Sequence, residues 1–156
     1  MPSTQKKVKK SKSKSSTAEK GSVVNQSFTM VHMLLELLIS IKFYHWRTSS
    51  FSQHKATDEL YEELNDNIDE FTEALMGATA TKIVPTANLH VQNPSSVSEL
   101  EKMINDRIEK LNTFPFDKLA KSASAVSDLM NIRDEMMASL HKFLYLLKLD
   151  GPGKTE

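Results

Sequence analysis

The chain has 156 residues, of which 39% are hydrophobic and 26% charged, and it contains no cysteine. The absence of cysteine excludes disulfides, zinc–thiolate sites and thiol catalysis, and it is compatible with a reducing compartment. The formal net charge of zero hides an asymmetry: residues 1–20 hold seven lysines against Glu19, whereas the rest of the chain has more acidic than basic groups. A basic segment therefore precedes an acidic domain.

The basic segment comes first in the chain. Residues 1–22 are rich in Lys, Ser and Thr and have little to bury, so we predict that they form a disordered tail. Lysines on a flexible arm neutralise phosphates without reading base sequence, which predicts non-specific, salt-dependent DNA binding. The lysines concerned are Lys6, Lys7, Lys9, Lys10, Lys12 and Lys14. A localisation signal or a solubility segment is the alternative role of the same residues.

The rest of the chain has the apolar periodicity of helices, and no strand pattern competes with it. We predict four helices, over residues 25–48, 52–76, 97–112 and 117–149, the last interrupted near 122–127. The first should be buried on two sides. The second should have a core stripe formed by Leu60, Leu64, Ile68, Phe71 and Leu75. Gly77 is expected to cap the second helix, and Ser96 with Glu99 predicts a capping box at the start of the third. The segment 78–95 is too long for a hairpin loop and predicts a crossover.

These elements define the predicted domain. The fold class is all-α, a four-helix bundle over residues 23–150 with a long crossover between helices two and three, followed by a flexible C-terminus over 151–156. The most apolar run, residues 30–41, is shorter than the roughly 20 residues that a membrane span needs. There is no secretory signal pattern at the N-terminus. We therefore expect a cytoplasmic protein that is neither secreted nor bound to a membrane.

The second helix carries the residues that indicate chemistry. With a turn of about 100° per residue, Asp58, Asp69 and Glu73 fall within about 100° of His54, and Glu62 lies in the same arc. Imidazole and carboxylate suit iron or another first-row metal. His54 and Asp69 are nevertheless roughly 22 Å apart along the helix, so two chains must supply the set if it works together. The alternative is a solvated acidic face without a metal.

A family resemblance adds to this pattern. The segment His45-Trp46, His54-x-x-x-Asp58 and Asp69-x-x-x-Glu73 resembles the signature of the Dps family, the miniature ferritins of starved bacteria. It is most similar to divergent members from phages and large DNA viruses, and it extends through helix order over residues 25–149. The resemblance implies a ferritin-like bundle that oxidises Fe(II) with peroxide or oxygen, stores ferric iron and protects DNA. In that family a lysine-rich arm condenses DNA.

The resemblance also implies a ligand set. His45, His54 and Asp58 would come from one subunit, and Asp69 and Glu73 from its two-fold partner, with the axis near Tyr61 and Glu62. Iron is the expected metal, and manganese and zinc stay open. The implied assembly is a homo-oligomer built on a two-fold dimer, a dodecamer in the family's usual form. The loop between His45 and His54 is three residues shorter than is usual there, which leaves the oligomer size open.

Other functions stay open beside this one. A ferritin-like bundle that lacks catalysis would act as a DNA-packaging or virion protein, located in the host cytoplasm, the nucleoid or the virion. A helical interaction module whose acidic face meets a basic partner is the third possibility. An intrachain di-iron site needs a Glu-x-x-His pair on each of two helices, and the sequence has none. The remaining polar pairs on helices, expected in the core or at interfaces, are His32 with Glu36 and Asp134 with His141.

Overall fold

The computed structural model describes residues 9–83, 88–120 and 122–149. Within these ranges the chain forms four α-helices and no strand, which confirms the predicted all-α class with four helices. The helices are α1 (Lys9–Arg47), α2 (Phe51–Thr79), α3 (Val97–Thr113) and α4 (Ala123–Leu149), with a 3-10 turn over Phe116–Lys118 between α3 and α4. The expected flexible C-terminus, residues 151–156, lies outside the described residues.

Helix α1 is longer than the sequence predicted. It begins at Lys9 instead of near residue 25, so the prediction of disorder over residues 1–22 is wrong for residues 9–22. Residues 1–8 lie outside the described residues. The physical reason is that the five lysines of residues 9–22 favour a helix and no proline interrupts this stretch. Extending an existing helix also avoids the cost of nucleation, because each added residue gains one hydrogen bond.

The second half of α1 is the most apolar element. Asn25–Arg47 is long and apolar enough to cross a membrane by length and composition, yet 56% of its apolar 18-residue stretch is buried inside the protein. Leu34, Leu37 and Ile41 are completely buried. The helix is buried on more than one side, as predicted, and its apolar composition is therefore that of a core element.

Helix α2 follows α1 after three residues. The side chain of Ser50 accepts a hydrogen bond from the backbone N–H of Gln53 and caps the first turn. The predicted cap at Gly77 is wrong, because the helix continues to Thr79 and Ala80 takes the left-handed conformation with φ 51°. A glycine costs only about 1 kcal/mol inside a helix, and in the last turn the Thr79 hydroxyl donates to the Leu75 carbonyl.

The predicted apolar stripe of α2 is buried at every position: Leu60, Leu64, Ile68, Phe71 and Leu75. Helix α4 packs along this stripe, and Lys142 of α4 reaches Glu59 and Glu63 of α2 at 2.6 and 3.0 Å. Phe116 of the 3-10 turn adds an edge-to-face contact with Phe71 at 6.0 Å between ring centroids. The core therefore lies between α1, α2 and α4, with α3 closing it.

The connection between α2 and α3 follows α1 in its described part. The backbone N–H groups of His90 and Gln92 donate to the side chains of Glu36 and Ser40, respectively. At its end, the Pro94 carbonyl accepts a hydrogen bond from Arg47 Nη1 at 3.3 Å. Helix α3 then begins at a capped N-terminus, where Ser96 Oγ accepts from the Glu99 N–H. The Glu99 carboxylate returns to the Ser95 N–H, one residue earlier than the predicted capping box requires.

Candidate metal site at the corner of α1 and α2

A buried polar network fixes the corner where α1 ends and α2 begins. The Tyr44 hydroxyl donates to Gln53 Oε1 at 2.8 Å, and the Thr48 hydroxyl donates to the same oxygen at 2.9 Å. Gln53 is itself buried on the first turn of α2. Because one amide oxygen holds both Tyr44 of α1 and Thr48 of the loop, the short connection has a defined geometry.

His45 and His54 stack across this corner. Their ring centroids are 3.9 Å apart with an interplanar angle of 26°. His45 Nδ1 lies 3.1 Å from the backbone oxygen of His54, and His54 Nδ1 lies 3.1 Å from the backbone oxygen of His45. His45 is buried, whereas His54 is exposed. The structure therefore brings the two predicted histidine ligands together despite the short loop.

The hydrogen bonds assign the tautomer that each ring has in its neutral form. A carbonyl oxygen only accepts, so each Nδ1 carries the proton and donates it. The Thr57 hydroxyl supports this assignment: it donates to the Gln53 carbonyl at 2.7 Å and lies 3.1 Å from His45 Nδ1, from which it accepts. Each Nε2 consequently keeps its lone pair. A carbonyl on Nδ1 with a free Nε2 is the arrangement that orients histidines in metal sites.

Asp58 lies beside the buried histidine of the pair. Its Oδ1 lies 3.8 Å from His45 Nε2 and 3.6 Å from Lys42 Nζ. The Lys42 ammonium also lies over the Tyr61 ring, 4.4 Å from its centroid. Asp58 thus has a cationic partner, Lys42, within its own chain, a contact that was not predicted from the sequence.

Burial lowers the pKa of His45 below its ordinary value, and electrostatic repulsion from His54 lowers it further. The Lys42 charge adds to this effect, while the backbone hydrogen bond with His54 and the Asp58 charge oppose it. The net effect favours the neutral form of the His45 imidazole. Neutral imidazole is the form that binds a metal, and its contact with Asp58 is then not an ion pair.

The two other predicted ligands lie elsewhere on α2. Asp69 and Glu73 are exposed on the outer face of the helix. Asp69 lies about 22 Å from His54 along the helix axis. Within one chain, the part that the structure describes holds no group of three or more His, Asp or Glu residues arranged to bind a metal. The structure places His45 beside both His54 and Asp58, but these three do not form such a group. Asp69 and Glu73 lie apart from them.

Three residues of the corner were missed from the sequence: Lys42, Gln53 and Thr57. Gln53 and Thr57 continue the buried stripe of α2 toward its N-terminus, so polar residues at core positions were the available signal. Lys42 precedes His45 by three residues and lies on the same face of α1, but the sequence does not say that this face meets Asp58.

A groove beside the corner exposes apolar surface. It has a volume of ≈ 590 Å³ and lies between the first half of α2 and the end of α4, with Asp58 and Glu62 on one wall and Leu146 and Leu149 on the other. Large aromatic side chains are exposed at the same end of the bundle, Trp46 by 68% and Phe51 by 79%.

The predicted DNA-binding lysines divide between two parts of the chain. Lys9, Lys10, Lys12 and Lys14 belong to the first turns of α1. Lys6 and Lys7 lie outside the described residues.

Comparisons with known proteins place the chain in a family. The model of a family of unknown function, DUF5856, matches residues 45–147. The chain belongs to this family. The match begins at His45 and includes all five predicted ligands, whereas the lysine-rich segment lies outside it.

The DUF5856 protein is also similar to a phage protein. It is 25% identical over 120 residues to an uncharacterized 14.6 kDa protein in the mobD-ri intergenic region of Enterobacteria phage T4. The matched region covers 74% of this chain and 86% of the phage protein. No solved structure matches. Neither match names an activity or a link to the Dps family, so an assignment of function depends on the geometry of the site.

Proposed function

We propose that this DUF5856 protein is a Dps-like ferritin that binds Fe(II) at a site shared between two copies of the chain and oxidises it. The observation that supports this most directly is the His45–His54 pair, since both rings direct Nδ1–H to backbone carbonyls and keep Nε2 for a metal. Stored ferric iron and protected DNA are the further consequences that the resemblance implies.

The contact between His45 and Asp58 fits a shared metal. Bonds from a first-row metal to nitrogen or oxygen are about 2.0–2.2 Å long, so one ion can bridge two atoms up to about 4 Å apart. The 3.8 Å between His45 Nε2 and Asp58 Oδ1 is within this limit. Iron is the proposed substrate, and manganese and zinc have compatible ligand preferences.

The course of the connection supports a ferritin-like topology. Since residues 90, 92 and 94 bond in order to residues 36, 40 and 47, the chain runs beside α1 in the direction of α1 before α3 begins. Helices α2 and α3 are then parallel to each other, which requires a crossover. Ferritin-like folds have one crossover connection of this kind.

The remaining ligands come from a second copy. If two α2 helices pair antiparallel about a two-fold axis near Tyr61 and Glu62, His54 of one copy meets Asp69 of the other. The partner's Glu73 lies one turn further along the same face. The helix carries eight carboxylates against Lys55, so bound cations would offset the repulsion between the two acidic faces.

The chemistry needs no activated protein nucleophile. Two Fe(II) ions each give up one electron, and hydrogen peroxide with two protons takes both electrons and becomes two water molecules. The protein's part is to bind and orient the ions with neutral imidazoles and carboxylates. Asp58, Asp69 and Glu73 neutralise part of the positive charge, which increases when Fe(II) becomes Fe(III).

Iron oxidation tests the proposal. Fe(II) and peroxide are mixed with the wild-type chain and with Asp69→Asn/Glu73→Gln, and the ferric product is followed by absorbance. We expect the double variant to fall to the rate without protein. Asp66→Asn/Glu70→Gln is the matched control, because it removes the same charges from the same helix outside the ligand arc, and it should keep the wild-type rate. Equal rates in the wild type and in Asp69→Asn/Glu73→Gln would refute the proposal.

The second candidate function is a ferritin-like DNA-packaging or virion protein without catalysis. The observation that favours it is the Lys42 ammonium, 3.6 Å from the Asp58 carboxylate, since a bound metal would compete with this cation. The similarity to a phage protein is compatible with such a role. Calorimetric titration with Co(II) separates the two candidates: binding that requires His54 supports the metal site, and its absence together with DNA retardation supports the packaging protein.

A further inference from the structure

A second cleft lies between α1 and the C-terminal half of α3. It has a volume of ≈ 580 Å³ and is lined by His32 and Glu36 on one helix and by Arg107 and Lys110 on the other, with Phe114 adding apolar surface. His32 precedes His45 by thirteen residues, roughly 20 Å along α1. The cleft is therefore separate from the candidate metal site.

Arg107 is the main feature of this cleft. Its side chain is only 6% exposed, and its Nη1 donates to Asp106 at 3.2 Å. Its Nε is buried and has no hydrogen-bond partner among the described residues. A guanidinium has five N–H donors, and a buried charged group with an unmet donor is costly to the fold. The residue is thus suited to a ligand that accepts hydrogen bonds.

The opposite wall has a second unmet group. His32 Nε2 is buried and likewise lacks a partner in the described part of the chain. Glu36 beside it accepts the His90 N–H through Oε1, which leaves its other carboxylate oxygen for a donor. Lys110, half exposed at the edge of the cleft, pairs with Asp106 at 2.8 Å. The cleft therefore combines donors on α3 with an acceptor on α1.

We propose that this cleft binds a small molecule with one carboxylate group and one hydrogen-bond donor. The planar guanidinium fork of Arg107 matches a carboxylate, and Glu36 would accept from the donor. The charges of Arg107 and Lys110 are offset by Asp106 and Glu36, so a singly charged group fits better than a phosphate dianion. The volume lies within the usual range for small-molecule sites, about 300–1,000 Å³.

The test uses three matched probes and the full chain. Phenylalanine carries both groups, phenylacetate only the carboxylate and phenethylamine only the ammonium. We expect calorimetry and NMR titration to give the affinity order phenylalanine, phenylacetate, phenethylamine, with amide shifts around residues 32 and 107. Inorganic phosphate is the competing probe. Saturable binding of phosphate without binding of either carboxylate, or no binding of phenylalanine up to about 10 mM, would overturn the proposal.

Variants assign the binding to the cleft. Arg107→Gln should weaken phenylalanine binding about tenfold or more, the usual effect of losing a hydrogen bond between charged groups. Lys110→Gln should weaken it less, and because that side chain is half exposed, this variant keeps the test valid if Arg107→Gln does not fold. Lys102→Gln removes the same charge from α3 outside the cleft and should bind as the wild type does. Equal losses in Lys110→Gln and Lys102→Gln would contradict the assignment.

Discussion

His45 and His54 lie ring on ring with their centroids 3.9 Å apart, and each Nδ1–H donates to the backbone carbonyl of the other residue. This reciprocal arrangement joins the last turn of α1 to the first turn of α2. The same hydrogen bonds that hold the corner also leave both Nε2 atoms without a proton. Structural support and metal-binding capacity therefore have one origin, and variants of the supporting residues should change both.

Thr57 is the first residue that tests this coupling. Its hydroxyl accepts from His45 Nδ1 and donates to the Gln53 carbonyl, and the residue is completely buried. Thr57→Val keeps the shape but removes the acceptor, so we expect a loss of about 1–3 kcal/mol in the free energy of unfolding. Urea denaturation measures it. Thr72→Val is the matched control, because Thr72 makes the same bond to the carbonyl four residues earlier but contacts no histidine. A loss as large in Thr72→Val would show that the histidine contact contributes nothing.

Lys42 provides a second test, of the competition at Asp58. Lys42→Met removes the ammonium that lies 3.6 Å from the carboxylate and keeps an apolar side chain against Tyr61. An ion pair at such an exposed site contributes up to about 1 kcal/mol, so the affinity for Co(II) should rise by up to about fivefold. Calorimetric titration measures the change, with Lys102→Met on α3 as the control. Unchanged affinity in both Lys42→Met and Asp58→Asn would mean that Asp58 is not a ligand.

Dimerisation should depend on divalent cations. The outer face of α2 pairs acid with acid in the proposed dimer, so without metal the chain should be monomeric at low ionic strength. Adding Co(II) should produce dimers in sedimentation velocity, and Asp69→Asn/Glu73→Gln should abolish this response. A dimer that persists in a chelator would show that metal does not hold the two copies together, and a monomer at saturating Co(II) would rule out a site shared between them.

Features that depend on a pattern along one helix could be predicted from the sequence, whereas features that depend on packing could not. The stripe from Leu60 to Leu75 was predicted at every position because periodicity along one helix directly reports which face is buried. Gly77 does not end the helix, since burial of the neighbouring turns outweighs a local helix preference of about 1 kcal/mol. The helical state of residues 9–22 was missed because composition alone does not include the gain from extending a packed helix.

The candidate site divides in the same way. The spacing of His54, Asp58, Asp69 and Glu73 follows from one helix and was available from the sequence. The His45–His54 stack and the contact of Lys42 with Asp58 cross from α1 to α2, and they depend on the tight corner held by Gln53. A pattern along one helix does not specify such contacts. The sequence therefore predicted the ligand types more reliably than their surroundings.

The lysine-rich segment should determine DNA affinity. Replacing its six predicted contacts with glutamine keeps the chain length and the helix-forming composition, unlike a deletion into α1. Each lost phosphate contact reduces the slope of log affinity against log salt concentration by about 0.9, so six would reduce it by up to about 5 per chain. Electrophoretic retardation at several salt concentrations measures the slope. Replacing Lys102, Lys110 and Lys118 is the control, and DNA binding that keeps its slope without the N-terminal lysines would disprove their role.

The link between α2 and α4 predicts a defined pH dependence of stability. A hydrogen bond from Ser139 and the charge of Lys142 hold the pKa of Glu63 below its ordinary value of 4.5, although burial opposes this. Because this pKa is depressed in the folded state, the stabilisation is present above 4.5 and is lost as the pH falls through the folded-state value. Glu59 and Glu63 raise the pKa of Lys142 above 10.5, so the stabilisation that the charge of Lys142 contributes is lost only in strong base. Lys142→Met should therefore lower the urea midpoint at about pH 7 and have little effect at about pH 3. Lys148→Met, an exposed change in the same helix, is the control and should have little effect at both pH values. If Lys142→Met lowered the urea midpoint equally at both pH values, the ion pair would not be the cause.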